Sequence, residues 1–157
     1  MAEKAVPLTK EGRERLEKEL DHLVTTRRPE VAERIHQSKE LASAQNNAEY
    51  EEAKNEQAFV EGRILALERI LQNASIIDEE AAHRASRVQI GSAVTVQSSE
   101  GTTMDYTIVG PAEARPTHGL ISNESPVGQA LLGKRVGDEV QVQVPRGVLR
   151  LTVTAIH

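Results

Sequence analysis

Few residues of this 157-residue chain have the types and spacing that chemistry requires. There is no cysteine, so thiolate catalysis and a disulfide framework are excluded. The five histidines, His22, His36, His83, His118 and His157, show no metal-ligand spacing, and each reads as an exposed or half-buried side chain. Ser43 would need a base to take its proton, and its stretch offers neither His nor Asp. That stretch, Ala42-Ser43-Ala44-Gln45-Asn46-Asn47, is small and uncharged, with carboxylates only at its edges, Glu40 and Glu49. Tyr50 follows it and reads as a packing residue just behind it. The adjacent cations Arg27 and Arg28 read as a solvated helix face bridged to acids such as Glu61. Ser125-Pro126 reads as a helix start, with serine at the cap and proline at the first helical position.

The elements that position these residues follow from periodicity. Thr9 can cap a helix start, and apolar residues then recur at Leu16, Leu20, Leu23, Val31, Ile35 and Leu41 among dense charge, which is the stripe of an amphipathic helix. Pro29 predicts a kink or short break near residues 25–29, because proline lacks the backbone donor and crowds the preceding turn. A second stripe runs through Ala48, Ala53, Phe59 or Val60, Ile64, Leu67 and Leu71. Folded about residue 45, position i faces roughly 90 − i, so that Leu20 meets Ile70, Leu23 meets Leu67 and Val31 meets Phe59 or Val60. The expectation is an antiparallel coiled-coil hairpin over residues 1–77 with residues 42–47 as its turn. At ~1.5 Å per residue, an arm of about 35 residues projects on the order of 50 Å. Such an arm encloses no catalytic cavity; it is a probe or a docking rod.

Residues 78–87 break the helical pattern and read as a linker. From residue 88 the period falls to two. Val88, Ile90, Val94 and Val96 form one strand signature with an irregularity at Gly91-Ser92. Met104, Tyr106 and Ile108 form a second, Val140, Val142 and Val144 a third, and Leu149, Leu151 and Val153 a fourth. The run Ser125 to Gly133 is a compact helix with its cap and its terminal glycine. Residues 88–157 therefore predict a β-rich domain of about four to six strands around one short helix, and the chain as a whole predicts the α+β class.

Composition limits what such a scaffold can do. Residues 1–77 hold 15 acids and 12 bases, and residues 88–157 six acids and five bases, so no part is a basic platform for duplex nucleic acid. Three aromatics, Tyr50, Phe59 and Tyr106, are too few for stacking along a single strand. The start Met1-Ala2-Glu3-Lys4-Ala5-Val6-Pro7 lacks the apolar core of a signal peptide, and no run reaches the roughly 18 apolar residues of a membrane span. A cytoplasmic protein with no membrane association is expected.

Five blocks, in order along the chain, carry a resemblance: Leu8-Thr9 with Gly12, Arg27-Arg28-Pro29-Glu30, Asn47-Ala48-Glu49-Tyr50, Glu61-Gly62-Arg63-Ile64, and Ser125-Pro126-Val127-Gly128-Gln129-Ala130-Leu131-Leu132-Gly133-Lys134. Together they resemble the Gre family of bacterial transcription elongation factors, GreA type, over essentially the whole chain. The resemblance implies a coiled-coil finger followed by an FKBP-like globular domain. It implies RNA polymerase as partner, docked at the rim of its secondary channel through the globular domain, with the finger tip reaching the active centre. It implies contact with nascent RNA and DNA only inside the transcription complex, a monomer, and no cofactor of its own. Members that stimulate transcript cleavage act on the polymerase-bound Mg²⁺ through two acids in a tip motif Asp-Leu-x-Glu-Asn-Ala-Glu-Tyr.

Aligned on Asn47-Ala48-Glu49-Tyr50, that motif places Ser43 at the family's Asp and Asn46 at its Glu, with Ala44 and Gln45 between. Both are neutral, weak ligands for a cation that gives up water reluctantly. Asn47, Glu49 and Tyr50 remain as tip-supporting residues. The resemblance also implies a polymerase-rim contact at Glu124, Ser125 and Pro126, with glutamate where Asp or Asn is commonest, and an RNA-facing basic patch at Arg27 and Arg28. The reading is a non-enzymatic, polymerase-binding factor that modulates elongation or pausing with reduced or no cleavage stimulation. One alternative is cleavage stimulation through Glu40 or Glu49. Another is an FKBP-like isomerase or chaperone, against which residues 88–157 offer a single aromatic, Tyr106.

Overall fold

The computed structural model describes residues 4–41 and 48–157, which fall into two compact units, Arg13–Asn73 and a second made of residues 4–12 with Ala74–His157. In the first unit, helix α1 (Lys10–His22, entering from the other unit) runs through a π-helical turn (Leu23–Arg27) into α2 (Arg28–Leu41). Helix α3 (Ala48–Gln72) returns antiparallel against α2. The core is aliphatic and thin. Val31, Val60 and Ile64 are buried, with Leu20, Leu23, Val24 and Ile35 packed around them. Leu16, Ala53 and Leu67 are buried as well. The choice at residues 59 and 60 goes to Val60, since Phe59 is 74% exposed.

Near residues 25–29, where a kink or short break is expected, the helix stays continuous but passes through the π turn. His22 and Arg28 keep right-handed helical backbone on either side of the π turn, and the Arg28 N–H donates to the Leu23 carbonyl five residues back. The wider turn accommodates the residues ahead of Pro29 without interrupting the helix, and the Thr25 hydroxyl takes up the Asp21 carbonyl at 2.7 Å. The facing register is near 90 − i where Arg28 meets Glu61 and Arg34 meets Glu56. It departs from that at Glu19, which bridges to Arg63, well short of position 71.

The second unit begins with strand β1 (Val6–Leu8), which pairs in parallel with β2 (Ala74–Ile76). Helix α4 (Glu79–Arg84) follows, capped by the Asp78 carboxylate accepting from the Ala81 N–H, with Ala82 fully buried. The unit boundaries thus differ from the 1–77, 78–87 and 88–157 division, because the lead-in strand and the linker helix are both part of the globular unit. A single five-stranded sheet completes it, with strands β3 (Ala93–Ser98), β4 (Thr103–Val109), β5 (Leu120–Ser122), β6 (Glu139–Val144) and β7 (Gly147–Ile156) in the order β5-β4-β3-β7-β6. All neighbours are antiparallel except β4 and β5. Val88 and Ile90 lie outside any strand, so the expected strand begins only after Gly91-Ser92, at Ala93. Helix α5 (Pro126–Leu131) buries Leu131 among Val94, Val96, Ile108, Leu151 and Val153.

Candidate functional site

The tip residues Ser43, Ala44, Gln45, Asn46 and Asn47 lie outside the described residues. Several polar residues stand close by in the described arms. Glu49 is exposed, Tyr50 is half-buried, and Glu40 meets the His36 ring at 3.1 Å one helical turn earlier. A groove of about 330 Å³ opens between the arms here, lined by Arg34, Gln37, Ser38, Glu49 and Glu52. Among the described residues no group of three His, Asp or Glu side chains is placed to hold a metal ion.

Below the tip the two arginines divide their attention. Arg28 clasps Glu61 through Nε at 2.7 Å and Nη2 at 2.9 Å, a bidentate pair across the hairpin. Arg27 donates to Glu30 at 2.9 Å on its own helix and to Glu56 on α3, and Arg34 also donates to Glu56. Hydrogen bonding from Arg34, reinforced by Arg27, holds the Glu56 carboxyl below its ordinary range, and the Arg28 guanidinium does the same for Glu61. Glu19 is lowered by its hydrogen bonds from Arg63 against a smaller opposing effect of burial. Conversely, Glu30 and then Glu56 raise Arg27, and Glu61 raises Arg28. The basic pair expected to face RNA is thus engaged with carboxylates of the hairpin itself, its side chains 34% and 44% exposed.

In the globular unit, Glu124, Ser125 and Pro126 form a tightly pinned turn. The Ser125 hydroxyl accepts the Gly128 N–H at 3.1 Å and donates to the Ser122 carbonyl at 2.7 Å. The Ser125 N–H reaches the same carbonyl at 3.0 Å, and the Glu124 N–H reaches the Ser122 hydroxyl at 3.0 Å. Gly128 is required by the close approach, since a Cβ there would stand 2.0 Å from the Ser122 oxygen. The cap read from Ser125-Pro126 is therefore realised. Glu124 and Pro126 are exposed, and Glu124 pairs with Lys4 at 3.2 Å.

Sequence reasoning missed two polar residues. Glu113 is only 5% exposed; its carboxylate accepts the Thr9 N–H at 2.8 Å and the Thr9 hydroxyl at 2.5 Å. Asn123, next to Glu124, carries a buried Oδ1 that accepts no hydrogen bond from the protein. No sequence signal marks either, because each depends on contacts made far along the chain or on a rotamer.

A charged helical hairpin of this kind and a small sheet domain with a rigid surface turn define a docking protein, one that works on a larger partner. Comparison with known proteins gives the family. The profile described as "Transcription elongation factor, N-terminal" matches residues 6–76, and that described as "Transcription elongation factor, GreA/GreB, C-term" matches residues 83–157. The transcription elongation factor GreA of Chloroflexus aggregans is 52% identical over 158 residues, covering 100% of both chains. That of Thermoanaerobacter pseudethanolicus is 51% identical over 155 residues, covering 98% of each. Among solved structures, GreA factor homolog 1 of Thermus thermophilus shares 36% identity over 98% of this chain and 99% of that one, with a TM-score of 0.47. The chain belongs to the GreA/GreB family of transcription elongation factors.

Proposed function

We propose that this chain binds RNA polymerase at the rim of its secondary channel through the Glu124-Ser125-Pro126 turn and directs the hairpin tip towards the active centre. It acts there as a monomer, meets nascent RNA and DNA only within the transcription complex, and modulates elongation or pausing with little or no stimulation of transcript cleavage. One observation carries the last point: Ser43 and Asn46 stand where the family's cleavage-stimulating members have their acidic pair. A neutral hydroxyl and a carboxamide do not replace the hard anionic oxygens that a second Mg²⁺ demands. The carboxylates flanking the tip support the same reading, since Glu40 is paired with His36 and Glu49 belongs to the retained Asn-Ala-Glu-Tyr block.

The test is a backtracked elongation complex with labelled RNA. The wild-type chain leaves cleavage at the rate of polymerase alone, and the double variant Ser43→Asp with Asn46→Glu accelerates it at least tenfold. Brisk cleavage with the wild-type chain, lost in Glu40→Ala or Glu49→Ala, would establish the alternative in which the flanking carboxylates serve.

A further inference from the structure

In the Ser122–Ser125 turn the backbone N–H groups of Asn123, Glu124 and Ser125 and both serine hydroxyls are engaged. The Asn123 N–H donates to the Val109 carbonyl at 2.9 Å, and the N–H groups of Glu124 and Ser125 are spent on Ser122. The Ser125 hydroxyl is used twice, as donor and as cap. Against that background one atom stands out. The Oδ1 of Asn123 is the buried side-chain oxygen, among the described residues, that finds no donor in the protein. Removing an amide oxygen from water without a partner is costly, and native structures rarely tolerate it without a reason.

The backbone cannot relieve this cost. It is tied to Val109 on one side and to the capped start of α5 on the other, and the close approach of Gly128 to the Ser122 carbonyl leaves no slack. The side chain is freer to respond, because Asn123 as a whole is only half-buried and its χ torsions are not tied as the backbone is.

We propose that Asn123 is a specificity-determining residue of the docking turn: on binding, its carboxamide oxygen accepts a hydrogen bond from an N–H donor on the polymerase surface, which removes the cost carried by the free protein. This rests on the rim-docking reading above. It predicts a separation between stability and affinity. A residue that merely supports the turn loses stability when truncated, whereas an unpaired acceptor held for a partner does not.

The experiment compares the full-length wild type with Asn123→Ala and Asn123→Asp. It measures the thermal midpoint of each and the affinity of each fluorescently labelled protein for purified core RNA polymerase. The expected result is that Asn123→Ala melts at or above the wild-type temperature yet binds at least tenfold more weakly. Asn123→Asp, isosteric and still an acceptor, binds within a factor of two or three of wild type. Wild-type affinity in Asn123→Ala overturns the proposal while leaving rim docking intact. A lowered midpoint with unchanged affinity in Asn123→Ala also overturns it, since the carboxamide is then a structural group. Failure of the wild type itself to bind polymerase overturns the docking reading and this inference with it.

Discussion

At the scale of single residues, the sharpest constraints are two glycines with opposite surroundings. A Cβ at Gly12 would lie 1.9 Å from the Glu113 Oε1, and that carboxylate cannot retreat because it holds both the Thr9 N–H and the Thr9 hydroxyl. At Gly62, on the outer face of α3, a Cβ would meet nothing within 4 Å. Gly12→Ala therefore overpacks a pinned contact and costs about 1–3 kcal/mol. Gly62→Ala relieves a helix-interior glycine and gains up to about 1 kcal/mol. Urea unfolding followed by helical circular dichroism reads both, and equal midpoints for the two variants would contradict the packing at Glu113. The sequence offered the glycine at residue 12 and the carboxylate at residue 113 without any means of joining them, since their meeting is a long-range contact. Ser125 was different: its capping role is local, written in the four residues that follow it, and it stands as read.

Elements were legible where periodicity is long and illegible where it is short. Two helical stripes and four alternating runs sufficed for the hairpin and the β-rich unit. The parallel pair of three-residue strands, Val6–Leu8 with Ala74–Ile76, offers too few positions for a period to be seen. The π turn was hidden because proline's general effect is a kink, and only the hydrogen-bond pattern reveals that an extra residue has been absorbed instead. The hairpin's electrostatics carry a prediction of their own. Glu19, Glu56 and Glu61 all titrate below the ordinary carboxylate value of 4.5 because arginines hydrogen-bond them in the folded state. At mildly acidic pH the unfolded chain then binds more protons than the folded one, so this stabilisation is complete above about pH 4.5 and is lost as pH falls through the depressed values. Arg27, Arg28 and Arg63 are pushed up from the ordinary arginine value by the same pairs, stay charged throughout and add no slope. The melting temperature of the helical signal should fall on acidification below about pH 5. Glu61→Gln should melt lower at neutral pH and show a shallower fall, and an unchanged slope would mean that the Arg28–Glu61 clasp contributes nothing.

For the molecule as a whole, separation of docking from tip chemistry has a kinetic consequence. The proposed function keeps a rim contact at Ser125 and Pro126 and, through Ser43 and Asn46, takes the acidic pair away from the tip. On that proposal the chain occupies the same place on the polymerase as a cleavage-stimulating relative and contributes none of its carboxylates. Occupancy of a shared site follows mass action, so with equal affinities an equimolar mixture halves the fraction of polymerase holding the active factor, and tenfold excess leaves about a tenth. Adding this chain to a backtracked complex with an active GreA should lower the cleavage rate along that curve. Competition through protein contacts accords with the charge distribution, since neither residues 1–77 nor residues 88–157 carry a net basic charge to draw in nucleic acid. The Ser43→Asp with Asn46→Glu variant supplies the decisive control, because an active occupant of the same site should abolish the inhibition and hold cleavage at the level of GreA alone. Cleavage that stays constant as the wild-type chain rises to a large excess would show that the two proteins do not share a site.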